Sequence, residues 1–302
     1  TNQFKTHLAS LSYLSSLGFQ VIPGLTLCHT FSEIESACQS ILAQKSAYDW
    51  DTDGAVIKVN DFSIQNTLGF TTKSPRWSIA YKFESETAIT TLTNIHIQVG
   101  RTGALTPVGI LDPVRLSGVM IHKASLHNED DIIRKCVHIG DKVLIRRAGE
   151  VIPEIIKSVA STSTSTPFVF PKTCPECHSK VVQLSGEVAI KCINLDCPAQ
   201  VKARIFHYVS KDGMDIDGFG KQRIDHLYEL GLLGSISDIY RLSYDTLIDI
   251  DRFGSKSANQ LILAIQNSKN RSFSRFIFAL GIPFVGIHTA DVLAQHFRSI
   301  QD

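Results

Sequence analysis

Apolar residues open the chain at a spacing of three to four: Phe4, Leu8, Leu11, Leu14 and Leu17, with Tyr13 beside them, up to Gly18. That period predicts an amphipathic helix with a glycine stop. Val21-Ile22 and Leu25-Thr26-Leu27 predict short strand pieces around Pro23-Gly24. Ser32 and Glu35 have capping-box spacing and open a second helix running to about Lys45. The period then falls to two. Ala55, Ile57 and Val59 share one face of a strand, with Val56 and Lys58 on the other. After a Ser74-Pro75 break, Ile79, Tyr81 and Phe83 alternate with Ala80 and Lys82.

From about Thr87 the pattern becomes one of short strands: Thr90 to Val99, Ala104 to Ile110, Val114 to Ile121, Lys142 to Arg146 and Val151 to Ile156. Gly100-Arg101-Thr102-Gly103 is a turn, and a short helix begins at Asp130 after Leu126-His127-Asn128. This order predicts a small five-strand barrel of the OB type. Ser161 to Thr166, closing at Pro167, reads as a linker. Pro198 to Val209 is a helix with Val201, Ala203, Ile205 and Phe206 inside and Lys202 and Arg204 outside.

A theme then recurs: an apolar residue, a short turn and a glycine at a helix start. It appears at Ile216 to Lys221, at Ile250 to Ser257 and at Leu280 to Gly286. Gly218/Gly220, Gly254 and Gly281/Gly286 mark the three loops, which read as helix-hairpin-helix units. Glycine lets backbone approach a phosphate, and the N–H groups at the following helix start can bind it. Hairpins with glycine are also common packing devices, but three within about eighty residues form a repeat.

Composition changes the picture little. The chain has 302 residues, 20% charged, and a net charge of +1, so any claim on nucleic acid must come from local patches. No apolar run approaches the roughly 18 residues of a membrane span. The cysteines are more informative. Four of the seven, Cys174, Cys177, Cys192 and Cys197, form two close pairs about a short predicted hairpin. Four thiolates in a tetrahedron make a structural zinc site, and they point to a reducing compartment. Two disulfides, or four ordinary cysteines, are the alternatives. His178 is the rival ligand, but four cysteines already complete a site.

Lys58 and Lys82 lie opposite the apolar faces of their strands, where they make a phosphate or nucleotide site or simply face water. Arg101 on its Gly-flanked turn, with Arg146 and Arg147, are the candidate nucleic-acid phosphate contacts of such a barrel, or else ordinary surface arginines. Glu150 is placed to pair with one of them.

D-G-A-V-I-K-V at 53–59, S-P-R-W-S-I-A-Y-K-F at 74–83, I-Q-V-G-R-T-G-A-L-T-P-V-G at 97–109, A-S-L-H-N at 124–128 and the run from Ile139 to Ile155 resemble the bacterial NAD-dependent DNA ligases. The resemblance continues through the four cysteines and the hairpin region. It implies a multidomain α+β chain. Residues 1–86 would end a nucleotidyltransferase (ATP-grasp-like) domain. Residues 87–166 would be an OB-fold barrel, 167–200 a four-cysteine zinc finger and 201–302 a helix-hairpin-helix domain. It implies sealing of nicked duplex DNA through enzyme-AMP and DNA-adenylate intermediates, in replication and repair. The implied cofactors are NAD, Mg2+ or Mn2+, and structural Zn2+. By the same resemblance Lys58 and Lys82 contact the adenylate, and Asp53 lies near the divalent metal or nucleotide. A monomer in the bacterial cytoplasm, associated with the nucleoid and not with a membrane, is implied as well.

One departure matters. The family carries AMP on the lysine of K-x-D-G, and no K-x-D-G occurs in these 302 residues. The chain therefore reads as a piece of a longer ligase that cannot load AMP by itself. The alternative is a non-catalytic clamp on duplex DNA. An RNA-processing role fits less well, since the hairpin array suits the minor groove of B-form duplex better than A-form RNA.

Overall fold

The computed structural model describes residues 4–50, 52–71, 73–116, 118–148, 152–162, 164–251, 253–297 and 299–301. Two compact units emerge. One is Thr1–Ala88 with Arg115–Val119 and Arg146–Glu154; the other is Ile89–Val114, Met120–Ile145 and Ile155–Asp302.

In the first unit the opening helix α1 spans His7–Ser16, capped by the Thr6 side chain. The expected strand pieces at 21–27 are absent: this stretch is turn and irregular chain, bent at Gly24 with φ 80°. Helix α2, Phe31–Ala43, starts two residues earlier than the Ser32/Glu35 box predicts. Its cap is Thr30, whose Oγ1 accepts the Glu33 N–H, while the Glu33 carboxylate accepts the His29 N–H at 2.6 Å. The T-x-x-E run was the better signal, because the cap must precede the first helical residue. Strands β1 (Gly54–Lys58) and β2 (Ser78–Lys82) pair antiparallel, with helix α3 (Phe62–Leu68) between them in sequence. Val56 and Lys58 are exposed, as alternation predicts, but Ile79 and Tyr81 are exposed too. A two-stranded sheet has too little backbone to cover both of its faces.

The barrel is closed, in the order β3-β4-β5-β8-β7, from strands Thr87–Val99, Leu105–Leu116, Val119–Ser125, Ile152–Ala160 and Lys142–Ala148. Leu92, Val143, Ile145 and Ile155 are wholly buried inside it. Gly109 leaves them room: a Cβ there would press on Leu92 and Ile155. Helix α4, Glu129–Arg134, is capped by Asn128 and starts one residue before the expected Asp130. The linker is more firmly held than its composition implies. Thr166–Pro167 (β9) pairs with His138–Ile139 (β6), and Ser165 donates to the buried Asp141 at 2.7 Å.

Beyond the zinc segment, helices α5 (Pro198–Val209), α6 (Lys221–Glu229), α7 (Tyr244–Ile248), α8 (Ser255–Ser268), α9 (Phe273–Ala279) and α10 (Ile287–Phe297) form an array. Its core of sixteen buried residues includes Ile205, Ile224, Leu227, Leu247, Leu261 and Ile265. On α5, Val201, Ile205, Tyr208 and Val209 face inward, and Phe206 is exposed, contrary to expectation. One helical step is about 100°, so a stripe through 201, 205 and 208 leaves 206 outside. No described helix is long and apolar enough to cross a membrane.

Candidate zinc centre and nucleic-acid interface

The four cysteines converge. Cys174 and Cys177 sit on one tight turn, closed by Cys174 N–H to Ser179 O at 2.8 Å and His178 N–H to Cys174 O at 2.9 Å. Strands β10 (Val181–Gln183) and β11 (Ile190–Cys192) pair Val181 with Cys192 and bring the second knuckle back. Cys197 is the residue before α5, whose first position is Pro198. All four sulfurs lie within 4.8 Å of one another, with Cys174–Cys197 at 3.9 Å and Cys177–Cys192 at 3.5 Å. A tetrahedron with Zn–S near 2.3 Å has sulfurs about 3.8 Å apart, so the set fits zinc. The cysteines are free thiols, which removes the disulfide alternative, and His178 is outside the cluster.

The thiols are electrostatically uneven. Hydrogen bonding from Ser179 pulls Cys177 down to about 6, whereas burial pushes Cys197 up to about 12 and Cys192 upward as well. Burial of Cys192 and Cys197 beside Ile97, Leu105 and Phe170 without a cation opposes their thiolate form. A zinc ion reverses that by stabilising thiolates directly.

Sequence reasoning missed what holds this knot to its neighbours. Gly103, at φ 81°, accepts the Cys192 N–H at 2.9 Å, and a Cβ there would collide with the Cys192 carbonyl. The buried Gln200 donates to both Cys192 O and Asn194 O at 2.9 Å. The close backbone approach expected at the Gly-flanked turn thus occurs, and the approaching group is the zinc knuckle. Arg101, on the same turn, donates from Nη1 to Gly281 O at 2.8 Å, 180 residues away in sequence.

Arg146 is paired with Glu154, Nη2 to Oε1 at 2.6 Å. Glu150, its anticipated partner, lies outside the described residues. Arg146 and Arg147 are adjacent on β7 and so project to opposite faces. Arg147 continues the buried side of Val143 and Ile145, while Arg146 is exposed.

Strand register decides the relation of the two lysines. Lys58 is opposite Ser78 and Lys82 opposite Gly54. Both lysines therefore stand on one face, four positions or about 13 Å apart along the strands. Lys82 Nζ is 2.8 Å from Asp53 Oδ2, and this hydrogen bond holds the Asp53 carboxyl below the usual carboxylate range. Gly54 is needed here: a Cβ would run into the Tyr81 carbonyl across the sheet. Lys58 lines a cavity of about 870 Å³ with His7, Asn60 and Ile57. Burial first and the Lys58 charge second lower the His7 pKa.

The three hairpin loops end alike. Gly220 and Gly254 are the caps of α6 and α8, and neither provides a side-chain cap; Gly286 precedes α10. The space beside all three glycines is open. Helices α1, α2, α3, α4, α7 and α9 are instead capped by Thr, Asp, Asn or Ser side chains. The start of α6 is thus left to an outside acceptor, whereas at α8 the Ser257 hydroxyl accepts the Gly254 N–H at 3.1 Å. Gly218, at φ 92°, lies within the first loop. Gly281, at φ 68°, is instead the terminator of α9.

Comparison with known proteins agrees with this layout. The NAD-dependent DNA ligase adenylation domain matches residues 1–86, the NAD-dependent DNA ligase OB-fold domain 89–167, and the NAD-dependent DNA ligase C4 zinc finger domain 173–199. A helix-hairpin-helix motif matches 275–302. The chain belongs to the NAD-dependent DNA ligase family. A protein named DNA ligase from Halalkalibacterium halodurans is 42% identical over 99% of this chain and 45% of its own length. Those of Anoxybacillus flavithermus and Natranaerobius thermophilus are 44% and 43% identical, each over 98% of this chain and 44% and 45% of their own lengths. The chain spans about half the length of the curated relatives it matches.

Proposed function

We propose that this chain provides the DNA grip and part of the nucleotide pocket of an NAD-dependent DNA ligase that seals nicks in duplex DNA. The observation that carries the reading is the unbroken order of adenylation, OB and C4 zinc models along one chain. In the sealing reaction AMP passes from NAD to a lysine, then to the 5′-phosphate at the nick, and the 3′-hydroxyl displaces it. Lys58 and Lys82 offset negative charge on the adenylate phosphate. Asp53, kept ionised by Lys82, is the chain's candidate carboxylate for Mg2+ or Mn2+; a single exposed carboxylate suits an ion that keeps most of its water. NAD is bound as the source of AMP. The lysine of K-x-D-G is not among these 302 residues, so no step of AMP attachment is assigned to this chain.

Arg101, Arg146, Arg147 and the loops of Gly218, Gly220, Gly254, Gly281 and Gly286 are the proposed backbone contacts to DNA. Gly281 contributes by ending α9 and Gly220, Gly254 and Gly286 by opening helix starts. Structural zinc fixes the seam between barrel and array. We place the protein as a monomer in the cytoplasm of a bacterium, where thiolate zinc sites persist and the nucleoid is at hand.

Nick sealing by the gene's protein product, with NAD or ATP as the sole nucleotide, tests this. Sealing with NAD alone is the expected result; sealing with ATP alone, or with neither, overturns it. A second reading is a clamp that holds duplex without chemistry, which the helix-hairpin-helix match taken alone would support. Lys58→Ala and Lys82→Ala separate the two: a ligase loses sealing at unchanged DNA affinity, and a clamp has no sealing to lose.

A further inference from the structure

The three hairpin loops can be aligned on the glycine before each second helix: Gly220, Gly254 and Gly286. One position earlier each loop carries an apolar residue that is at least partly buried. Phe219 is buried, Phe253 is half-buried beneath Arg223 at 4.7 Å, and Val285 is half-buried. Two positions earlier the backbone is left-handed: Gly218 has φ 92° and Phe284 has φ 65°. The corresponding residue of the second hairpin, Arg252, lies outside the described residues. Five positions earlier the first and third loops agree again, with Asp215 at φ 52° and Gly281 at φ 68°. The first and third loops thus share one backbone course, and the third puts phenylalanine where the first puts glycine.

That choice is unfavourable twice over. A bulky residue in the left-handed region is sterically strained, and glycine is not. Phe284 is also 99% exposed, so it recovers no hydrophobic stabilisation from this chain. The half-buried apolar position of this loop is Val285, not Phe284. Its neighbours Ile282 and Ile287 are exposed as well, so the tip of the loop is apolar. Local strain combined with an uncovered aromatic side chain is the pattern of a contact residue.

We propose that Phe284 is a wedge that enters the groove of duplex DNA beside the phosphate held by the third hairpin. This rests on the DNA-gripping reading above. The side chain stands two residues before Gly286, at whose helix start the phosphate would sit, so sugar edges and the groove floor are what it meets. Apolar side chains placed between base steps there part the stack and bend the duplex. The first hairpin, with Gly218 in the same slot, supplies only the phosphate grip. Of the first and third loops, one therefore grips and the other grips and wedges.

The test is Phe284→Gly in the 302-residue chain, with affinity for a fluorescein-labelled nicked duplex measured across a salt series. Glycine relieves the strained backbone, so melting is expected to stay level or rise. Affinity is expected to fall about tenfold with an unchanged salt slope, since an apolar contact displaces no counterions. Equal affinity overturns the wedge, and so does a fall with a shallower slope, which signals a lost phosphate contact. Sedimentation of both proteins covers the other occupant: a dimer that Phe284→Gly abolishes makes a second copy the partner and overturns the proposal. If the unsubstituted chain fails to bind duplex at all, the DNA-gripping reading falls and takes the wedge with it, an outcome distinct from equal binding by the two proteins.

Discussion

Within these 302 residues the N-terminal region and the helical array bury their apolar residues to different extents. Among the described residues of 4–88, only Cys38, Gln65 and Phe83 are buried, while Phe31 is 80% exposed, Ile22 72% and Phe70 68%. The array buries sixteen residues in one cluster. Both regions show correct amphipathic periods, so period alone does not make a core. In the array α5 packs against α6 and α9, and α8 against α7. In the N-terminal region two short strands and three helices leave an open cavity of about 870 Å³. Hydrophobic burial needs a second surface.

The sharpest way to break this contrast is to remove zinc. The zinc knot lies in the same unit as the array, yet few packed residues surround it. Chelation, or Cys174→Ala, is expected to unfold residues 173–197 and weaken binding to nicked duplex. Hydrogen exchange should show the Cys192 amide losing protection while the core of α5 and α8 keeps its own. Unchanged DNA binding after verified zinc loss would sink the role given to the metal.

Core truncation comes next. Leu227 and Leu261 are essentially inaccessible to water, so alanine at either is expected to cost about 2–5 kcal/mol by urea unfolding. Leu14→Ala, at a residue 38% exposed, is expected to cost less than about 1 kcal/mol. Equal losses at the two places would erase the distinction.

A smaller effect is expected at Asp141, whose carboxylate is wholly buried and accepts from Ser158 Oγ, Ser165 Oγ and the His138 N–H at 2.7–2.9 Å. Burial raises its pKa, but the hydrogen bonds outweigh burial and hold it below the ordinary value. A depressed folded pKa stabilises the fold above the unfolded value near 3.9 and is lost as pH falls through the folded value. Asp141→Asn is therefore expected to cost about 1–3 kcal/mol at pH 7. Its cost should shrink toward acid pH, read by urea unfolding at pH 7 and below 4.

The smallest effect is expected at the exposed pair of Lys82 and Asp53. Asp53→Asn should change stability by no more than roughly 1 kcal/mol. If the pair serves the nucleotide, the same change abolishes sealing by the whole protein, a split that unfolding and sealing assays read separately.

Reading the sequence located the zinc site, the barrel, α5 and the three hairpins, because each depends on short-range spacing. It failed at 21–27, where apolar pairs beside Pro23-Gly24 have no strand to pair with. It also placed Phe206 inside, when the inner stripe runs on to Tyr208 and Val209. Gly281 looked like half of a loop pair, but its left-handed φ ends α9 and the loop's own slot belongs to Phe284. That slot was legible in principle, since counting back from Gly220 and Gly286 aligns Gly218 with Phe284.

What the sequence determined by itself is local: four cysteines on two knuckles, glycines before three helices, and alternation that puts each lysine opposite an apolar face. The tertiary structure decided which distant groups meet. Register set Lys58 and Lys82 about 13 Å apart and gave Lys82 to Asp53. Folding brought Arg101 to Gly281, Gly103 to Cys192 and Asp141 to two serines and a backbone amide. The physical reason is range. Caps, turns and metal knuckles are closed by residues a few positions apart, whose geometry the chain fixes covalently. A hydrogen bond across 180 residues exists only once burial has brought its two ends together.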